Sequence, residues 1–313
     1  MLKFLVRRVL GLVFVIIGVT FVTYAMGYLA PGQDPIKALL GQHYTLAAYH
    51  NLQVKYGLDK PWEIQYLNFL WNLLHGNFGL SYRYPGQSVN DIILPSIGVS
   101  VELGLSAFIL ALFIGIPTGV AAALQRGKWI DTTLMGTMLF LYAIPAFVFI
   151  PFYQVLMDIL VAHNLPYLPV SGWEGSIYFK IAPIIILALT NTGYYARITR
   201  TVMLEVLGQD FVRTARSKGV SERAVIHIHA FRNAMLPLLS VIGPSLAYLV
   251  SGAFVVEDLF NIPGVGYQGI NAVFNRDWPV LQATVVILAT AVVVMNLVTD
   301  ILYSIVDPRI RVS

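Results

Sequence analysis

One strongly basic segment holds the clearest concentration of chemically active side chains. Residues 213–237, RTARSKGVSERAVIHIHAFRNAMLP, contain five arginine or lysine residues, one glutamate, His227 and His229. Such a segment could bind nucleic acid, lie on a membrane, hold a metal ion or contact a protein. Histidines two residues apart diverge on a helix and no acid supports them here, so we expect no metal site. Stacking aromatics do not accompany the basic residues, so we expect no nucleic acid.

Sequence motifs for nucleotide binding and catalysis are missing. The chain has no cysteine, which excludes thiol chemistry and cysteine metal sites. It has no GxxxxGK[ST] phosphate loop, no HExxH or GxSxG motif and no convincing carboxylate pair. We therefore expect a non-catalytic protein that binds no cofactor itself, and whose energy source lies outside this chain.

Long apolar runs must position the basic segment. Hydrophobic residues make up 57% of the 313 residues and charged residues only 12%, about half the usual charged share. A membrane-crossing helix needs about 20 apolar residues. Six runs qualify, and we read the first as a retained span because it is longer than the core of a signal peptide. The predicted spans are 9–30, 97–123, 133–160, 181–199, 236–257 and 280–304.

The positive charges predict the orientation of these spans. Fourteen of the 20 lysine and arginine residues fall in segments on one side, which should face the cytoplasm, together with both termini. Acids within or beside the spans are few, namely Glu102, Asp158 and Asp300, and we expect them near span ends with local partners. This scarcity argues against an ion-coupled transporter, which needs charges inside the membrane.

Two segments on the predicted outer side are more than simple connectors. Residues 61–79 place aromatic and leucine side chains at three- and four-residue steps, which predicts an amphipathic helix on the membrane or on the protein's own spans. In 260–280, Pro263, Gly264 and Gly266 predict a turn. The residues beyond it either dip into the membrane beside a pore or form a surface loop.

The basic segment itself reads as two helices. Residues 210–218 suit a short helix ended by Gly219, and Ser221 suits the N-cap of a second helix. Ala224, Ile228, Phe231 and Met235 predict one apolar stripe on that second helix, which runs into the fifth span. Charge alone favours a loop lying on anionic lipid. The break at Gly219 favours a compact unit that fits another protein.

The segment resembles the cytoplasmic EAA loop of ABC importer permeases, with Gly219 as the central glycine and Leu236-Pro237 as the closing pair. The chain is most similar to the first permease of oligopeptide, dipeptide and nickel systems. Thr214-Ala215-Arg216 stands in place of Glu-Ala-Ala, a replacement common in that subfamily. Further similar strings are LKFLVRRVL, LAPG, YGLDKPWEIQYLNFL, FNIPGVGYQGI, RDWPV and DPRIR.

The resemblance implies an all-α, six-span permease of the type I ABC importer fold in a bacterial or archaeal cytoplasmic (inner) membrane. It implies four partners besides lipid: a second homologous permease, two ATPase subunits that use ATP and magnesium, and an extracytoplasmic solute-binding protein. Residues 1–96 would form the first span with an outer loop, and residues 97–313 the core, with the coupling loop at about 205–237.

The resemblance also implies which residues act. The expected ATPase contacts are Asp210, Arg213, Thr214, Ala215, Lys218, Gly219, Val220 and Ser221. In the fifth span Ser245, Tyr248 and Ser251 share one helix face and either line the path for peptides or similar solutes or bond to neighbouring helices. The alternative function is an ion-coupled secondary transporter or channel.

Overall fold

The computed structural model describes residues 2–29, 35–40 and 44–306. The described chain is helical, with one isolated β-bridge and no strand. The helices are α1 (Leu2–Leu29), α2 (Pro35–Leu40), α3 (Leu46–Lys55), α4 (Trp62–Leu74), α5 (Val89–Leu124), α6 (Trp129–Ala143), α7 (Ala146–Ala162), α8 (Ile177–Leu207), α9 (Asp210–Ser217), α10 (Glu222–Ala224), a π-helical turn (Val225–Phe231), α11 (Arg232–Leu259), α12 (Val265–Asn275) and α13 (Trp278–Val306).

The apolar helices confirm the all-α membrane class and correct one span. Within the described ranges, five helices are long and apolar enough to cross a membrane, and a sixth crossing requires α6 and α7 together. The predicted span 133–160 is not straight, because its two helices meet at an angle of 92°. Pro145 explains the break, since a proline disfavours helical backbone in the residue before it, and Ile144 is extended at ψ 118°.

Small residues let α8 approach its neighbours closely. Gly115 and Gly119 on α5 face the α8 backbone, and Gly193 on α8 faces the α6 backbone, each without room for a Cβ atom. Small residues four apart permit such close contact between membrane helices. The paired helices enclose a core that includes the fully buried Leu103 and Met203.

A partly buried ion pair lies at the end of the molecule that carries α9. Arg200, near the end of α8, donates two hydrogen bonds of 2.7 Å to the carboxylate of Asp131 in the first turn of α6. Asp131 also accepts from the Gly127 backbone at 3.0 Å, so it joins the α5–α6 turn to α8. We call this end of the molecule the α9 end, and the opposite end the α12 end.

At the α12 end, a buried carboxylate that sequence reasoning missed holds α12 in place. Glu257 is fully buried near the end of α11, so acids beside the spans are not limited to the three predicted ones. It accepts hydrogen bonds from the Ser100 hydroxyl at 2.6 Å and from the Gly266 amide at 2.8 Å. The Ser100 hydroxyl in turn accepts from the Val265 amide. The predicted turn at 263–266 therefore leads into a helix anchored to α5 and α11.

The three acids predicted to lie near span ends have ordinary surroundings. Glu102 pairs with Lys180 at 2.5 Å and accepts from the indole of Trp173, as expected of an acid with local partners. Asp158 is exposed and Asp300 is partly buried.

Most of the predicted amphipathic segment 61–79 forms α4 (Trp62–Leu74), which packs on α1. The hydroxyl of Tyr66 lies 3.1 Å from that of Thr20 and donates to the Ile17 carbonyl at 3.0 Å. The next segment is fixed to the α12–α13 turn by Asp277, which accepts from the Ser81 hydroxyl and the Tyr82 amide. The segment between α1 and α5 therefore contacts the rest of the protein both through α4 and through Ser81 and Tyr82.

Candidate coupling site in the basic loop

Helix α9 forms a short knob between two long helices. α8 ends at Leu207, and α9 begins at Asp210 after the extended Gln209. The Thr214 and Ser217 hydroxyls donate to carbonyls four residues earlier, which keeps these side chains close to the helix surface. The predicted short helix at 210–218 is therefore present, one residue shorter than expected.

Gly219 ends α9 in the way that its residue type predicts. Its φ of +74° lies in the left-handed region, which costs other L-residues about 1–2 kcal/mol. The Val220 amide donates back to the Ala215 carbonyl at 3.3 Å, closing the turn. A Cβ on Gly219 would meet no atom within 4 Å, so strain at this position comes from the backbone and not from crowding.

One face of α9 packs against the rest of the chain. Val212 and Val225 are fully buried in a small cluster that also includes Ala215, with Leu207 and Val220 at its edge. Ala215 is only 7% exposed, so its side chain supports the knob from within, and its expected contact with an ATPase stays a prediction. A small residue suits position 215, because this side of α9 faces the π-helical turn. Val220, partly buried at the same cluster, supports the knob in the same way.

The opposite face of α9 is open to solvent. Six of the eight predicted contact residues are exposed there, namely Asp210, Arg213, Thr214, Lys218, Gly219 and Ser221. Arg213 lies 3.7 Å from Asp210 in an exposed pair, which contributes little to stability. Phe211, missing from the predicted set, is 37% exposed on this knob. The signal that could have identified it is an aromatic residue among polar neighbours in a short helix.

A charged fork joins the two sides of the Gly219 turn. Arg216 donates to both carboxylate oxygens of Glu222, at 2.6 and 3.1 Å. These hydrogen bonds lower the pKa of the Glu222 carboxyl and raise that of the Arg216 guanidinium. The only acid of the basic segment thus holds α9 against the start of α10. Ser221 precedes α10 as predicted, but its side chain makes no capping hydrogen bond.

The second helix of the loop is continuous with α11, and its predicted apolar stripe is present only in part, since Ala224, Phe231 and Met235 are partly buried. Helical backbone runs without a break from Glu222 to Leu259. Ile228, placed on the predicted stripe, is 57% exposed. The buried positions are Val225, Ala230, Ala234, Leu238 and Ile242. Their first interval is five residues because the backbone there is π-helical, which shifts every later side chain by one position.

Of the three predicted path residues, the structure describes only one side chain. Ser245 is partly buried, and its hydroxyl donates to the Val241 carbonyl at 3.1 Å. The side chains of Tyr248 and Ser251 lie outside the described residues.

Comparison with known proteins agrees with this arrangement. Residues 115–312 match the family model of binding-protein-dependent transport system inner membrane components, and residues 1–100 match the model of the N-terminal region of such components. The described helices superpose on a methionine ABC transporter, MetNI, in an inward-facing conformation, with a TM-score of 0.57. At 16% identity over 69% of this chain and 96% of that one, this match concerns the fold alone.

Full-length relatives are considerably more similar. The dipeptide transport system permease protein DppB of Escherichia coli (strain K12) is 37% identical, with 99% of each chain covered. The oligopeptide transport system permease protein OppB of Salmonella typhimurium (strain LT2) is also 37% identical, over 99% of this chain and all of the relative. Together with a family model that covers more than half of the sequence, these matches show that the chain belongs to the family of binding-protein-dependent transport system inner membrane components, the permease subunits of ABC importers.

Proposed function

We propose that this permease forms half of the translocation path of an ATP-driven importer for short peptides or similar solutes. A second homologous permease would form the other half, and two ATPase subunits and a solute-binding protein would complete the complex. The names of the full-length relatives support peptides as the substrate class. The α9 end would face the cytoplasm with both termini, because most of the fixed positive charges lie on that side.

The observation that carries the coupling role is the knob of residues 208–221. Its inner face is held by the Val212, Ala215 and Val225 cluster and its outer face is exposed. Beyond it, continuous helix leads from Glu222 through α11. If an ATPase displaced the knob, α11 would therefore move with it as a rigid rod, because no flexible segment interrupts the helix beyond Glu222.

The outer face then supplies the contacts with the ATPase. Asp210, Arg213, Thr214, Lys218, Gly219 and Ser221 would contact it directly, and Phe211 would add an apolar contact. Exposed aromatics and arginines are the residue types that dominate binding energy at protein interfaces. Ser245, Tyr248 and Ser251 stay a proposal for the substrate path.

Substitution of Gly219 tests the coupling role. Gly219→Asp places a negative charge at the exposed turn, so we expect normal insertion but reduced ATPase association and peptide uptake. Gly219→Asn is the matched control, because asparagine and aspartate tolerate left-handed backbone equally and differ here only in charge. Association is measured by co-purification of the complex from detergent, and uptake in the same cells. Unchanged uptake in the Gly219→Asp strain would refute the assignment.

A second measurement distinguishes the alternative function. An ion-coupled secondary transporter or channel would work without ATPase subunits and would respond to an ion gradient. We expect instead that the purified permease carries a second permease and ATPases with it. Uptake should persist when the ion gradient is collapsed and stop when the ATPase genes are deleted.

A further inference from the structure

A cavity open to solvent at the α12 end is large enough to hold a small molecule. It has a volume of about 370 Å³, within the range of ordinary ligand pockets, and opens between the turn near Tyr84, the first turns of α5 and the start of α12. A smaller pocket shares three of its lining residues and continues it along α12. The lining residues that matter most are Tyr84, Gln87, Asp91, Ile92, Pro263 and Gln268.

Both walls of the cavity are fixed by side-chain contacts. On one wall, the side chain of Asn90 donates to the Gly76 carbonyl and accepts from the Phe78 amide, which holds the loop against the start of α5. On the other wall, Glu257 holds the first amides of α12. Asp277 ties the two walls together through Ser81. The cavity is therefore largely formed before any ligand arrives.

Three polar side chains that line this cavity are accessible: Asp91 and Gln87 are exposed, and Gln268 is partly buried. Across the described ranges, no ion pair or side-chain hydrogen bond engages Asp91, Gln87 or Gln268. In the adjoining pocket Arg83 also lacks an ion-pair partner among the described residues. Asp91 lies in the first turn of α5, where an acid also favours the helix dipole. That role requires no cavity; a ligand is favoured instead by a cavity that lies between an accessible carboxylate and an accessible guanidinium.

The chemistry of these groups selects a class of ligand. A carboxylate at the larger cavity suits an ammonium group, and the exposed guanidinium of Arg83 beside it suits a carboxylate. Amide side chains between them can both donate to and accept from peptide bonds. We propose that the cavity transiently binds a short zwitterionic peptide, with its ammonium group on Asp91 and its carboxylate towards Arg83. The proposal rests on the importer function above and locates a first contact of the substrate with this chain.

Photolabelling of the intact complex tests the site without the solute-binding protein. The complete permease and ATPase complex in lipid nanodiscs is irradiated with the dipeptide alanyl-p-azidophenylalanine, and labelled peptides are identified by mass spectrometry. We expect label within 83–99 or 263–275, displaced by excess Ala-Ala and not by N-acetyl-Ala-Ala-amide. Label confined to other segments, or displaced equally by both competitors, would overturn the proposal.

Two variants and a control address the charges directly. Asp91→Asn should reduce labelling about tenfold, as expected for loss of one charge-assisted hydrogen bond, and Asp91→Glu should restore most of it. Arg83→Gln should weaken competition by Ala-Ala but leave that by Ala-Ala-amide unchanged. Asp59 is an exposed acid between α3 and α4 that does not line the cavity, so Asp59→Asn should leave the labelling unchanged. Equal labelling of the Asp91→Asn and Asp59→Asn complexes would refute the site.

The proposed importer function has its own readout. The wild-type complex is reconstituted in liposomes that contain ATP in the lumen, where the ATPase subunits must face. The peptide-loaded binding protein is then added outside. Uptake that depends on ATP supports the importer function whatever the labelling shows. ATP-dependent uptake combined with labelling that ignores Asp91 and Arg83 would refute the cavity alone. Absence of ATP-dependent uptake would refute the function on which the cavity proposal rests.

Discussion

Replacing one glycine between α5 and α8 should measure how tightly the body of the permease is packed. Gly119→Ala adds a Cβ that lies 2.6 Å from Thr199 Cβ and 3.0 Å from the Arg200 amide nitrogen, and closer still to the Ala196 carbonyl oxygen. Carbon atoms in contact are normally about 3.5–4.0 Å apart, so the helices must separate by about 1 Å. Two of these three neighbours are backbone atoms, which cannot rotate away.

The free energy of this change has two parts of opposite sign. Inserting a methyl group into a well-packed interface costs about 1–3 kcal/mol. Replacing glycine by alanine inside a helix gains about 0.5–1 kcal/mol. The net destabilisation should therefore be roughly 1–2 kcal/mol. The change should also disturb the α6–α8 contact, because Arg200 lies at the point of contact and its ion pair with Asp131 joins these two helices.

Thermal unfolding of the purified permease in detergent, followed by tryptophan fluorescence, measures this difference. We expect the Gly119→Ala midpoint to fall by several degrees, at about 2–4 °C for each kcal/mol in a chain of this size class. Gly98→Ala is the matched control, since it lies on the same helix and its Cβ would meet no atom within 4 Å. We expect that variant to be neutral or slightly more stable. Equal midpoints for the two variants would refute the close-contact argument.

Three further predictions concern the charged contacts. Glu257→Ala should release the first turn of α12, lowering the unfolding midpoint by several degrees, whereas Glu257→Gln should lose less because its amide can still accept hydrogen bonds. Arg200→Lys should lower stability by about 1–3 kcal/mol, measured by the same unfolding assay, because a lysine cannot bond both oxygens of Asp131 at once. Arg216 lowers the pKa of Glu222, so their contact is complete above the pKa of an unpaired glutamate and is lost as pH falls through the lowered value. Hydrogen-exchange protection factors in 217–222, which correct for the intrinsic effect of pH, should therefore fall in acid by no more than about fivefold, and Glu222→Gln should remove that dependence.

The sequence predicted those parts of the coupling site that depend on local backbone preference. A glycine followed by a serine and a glutamate predicts an interrupted helix pair, and the structure has that interruption at Gly219. The apolar runs likewise predict the spans, since length and composition decide whether a helix can cross a membrane. These features could be predicted because none of them depends on residues that are distant in the sequence.

Features that depend on distant contacts were missed. Glu257 reads as an ordinary acid at a span end, and only the folded chain brings Ser100 and the Gly266 amide to it. Ala215 reads as part of an exposed helix until Val225 covers it. The π-helical turn is invisible to a search for helical periodicity, because that search assumes 3.6 residues per turn throughout. When one turn is longer, such a search assigns the later residues to the wrong face of the helix.

The π-helical turn has a consequence for the length of this loop. It accommodates one residue more than an α-helix of the same reach, and that surplus is exposed at Ile228. Deleting Ile228 would shorten the interval between Val225 and Ala230 to four residues and convert the turn to ordinary α-helix. Both buried side chains would keep their places, so permeases of this architecture can differ by one residue here and still present the same knob and the same rod.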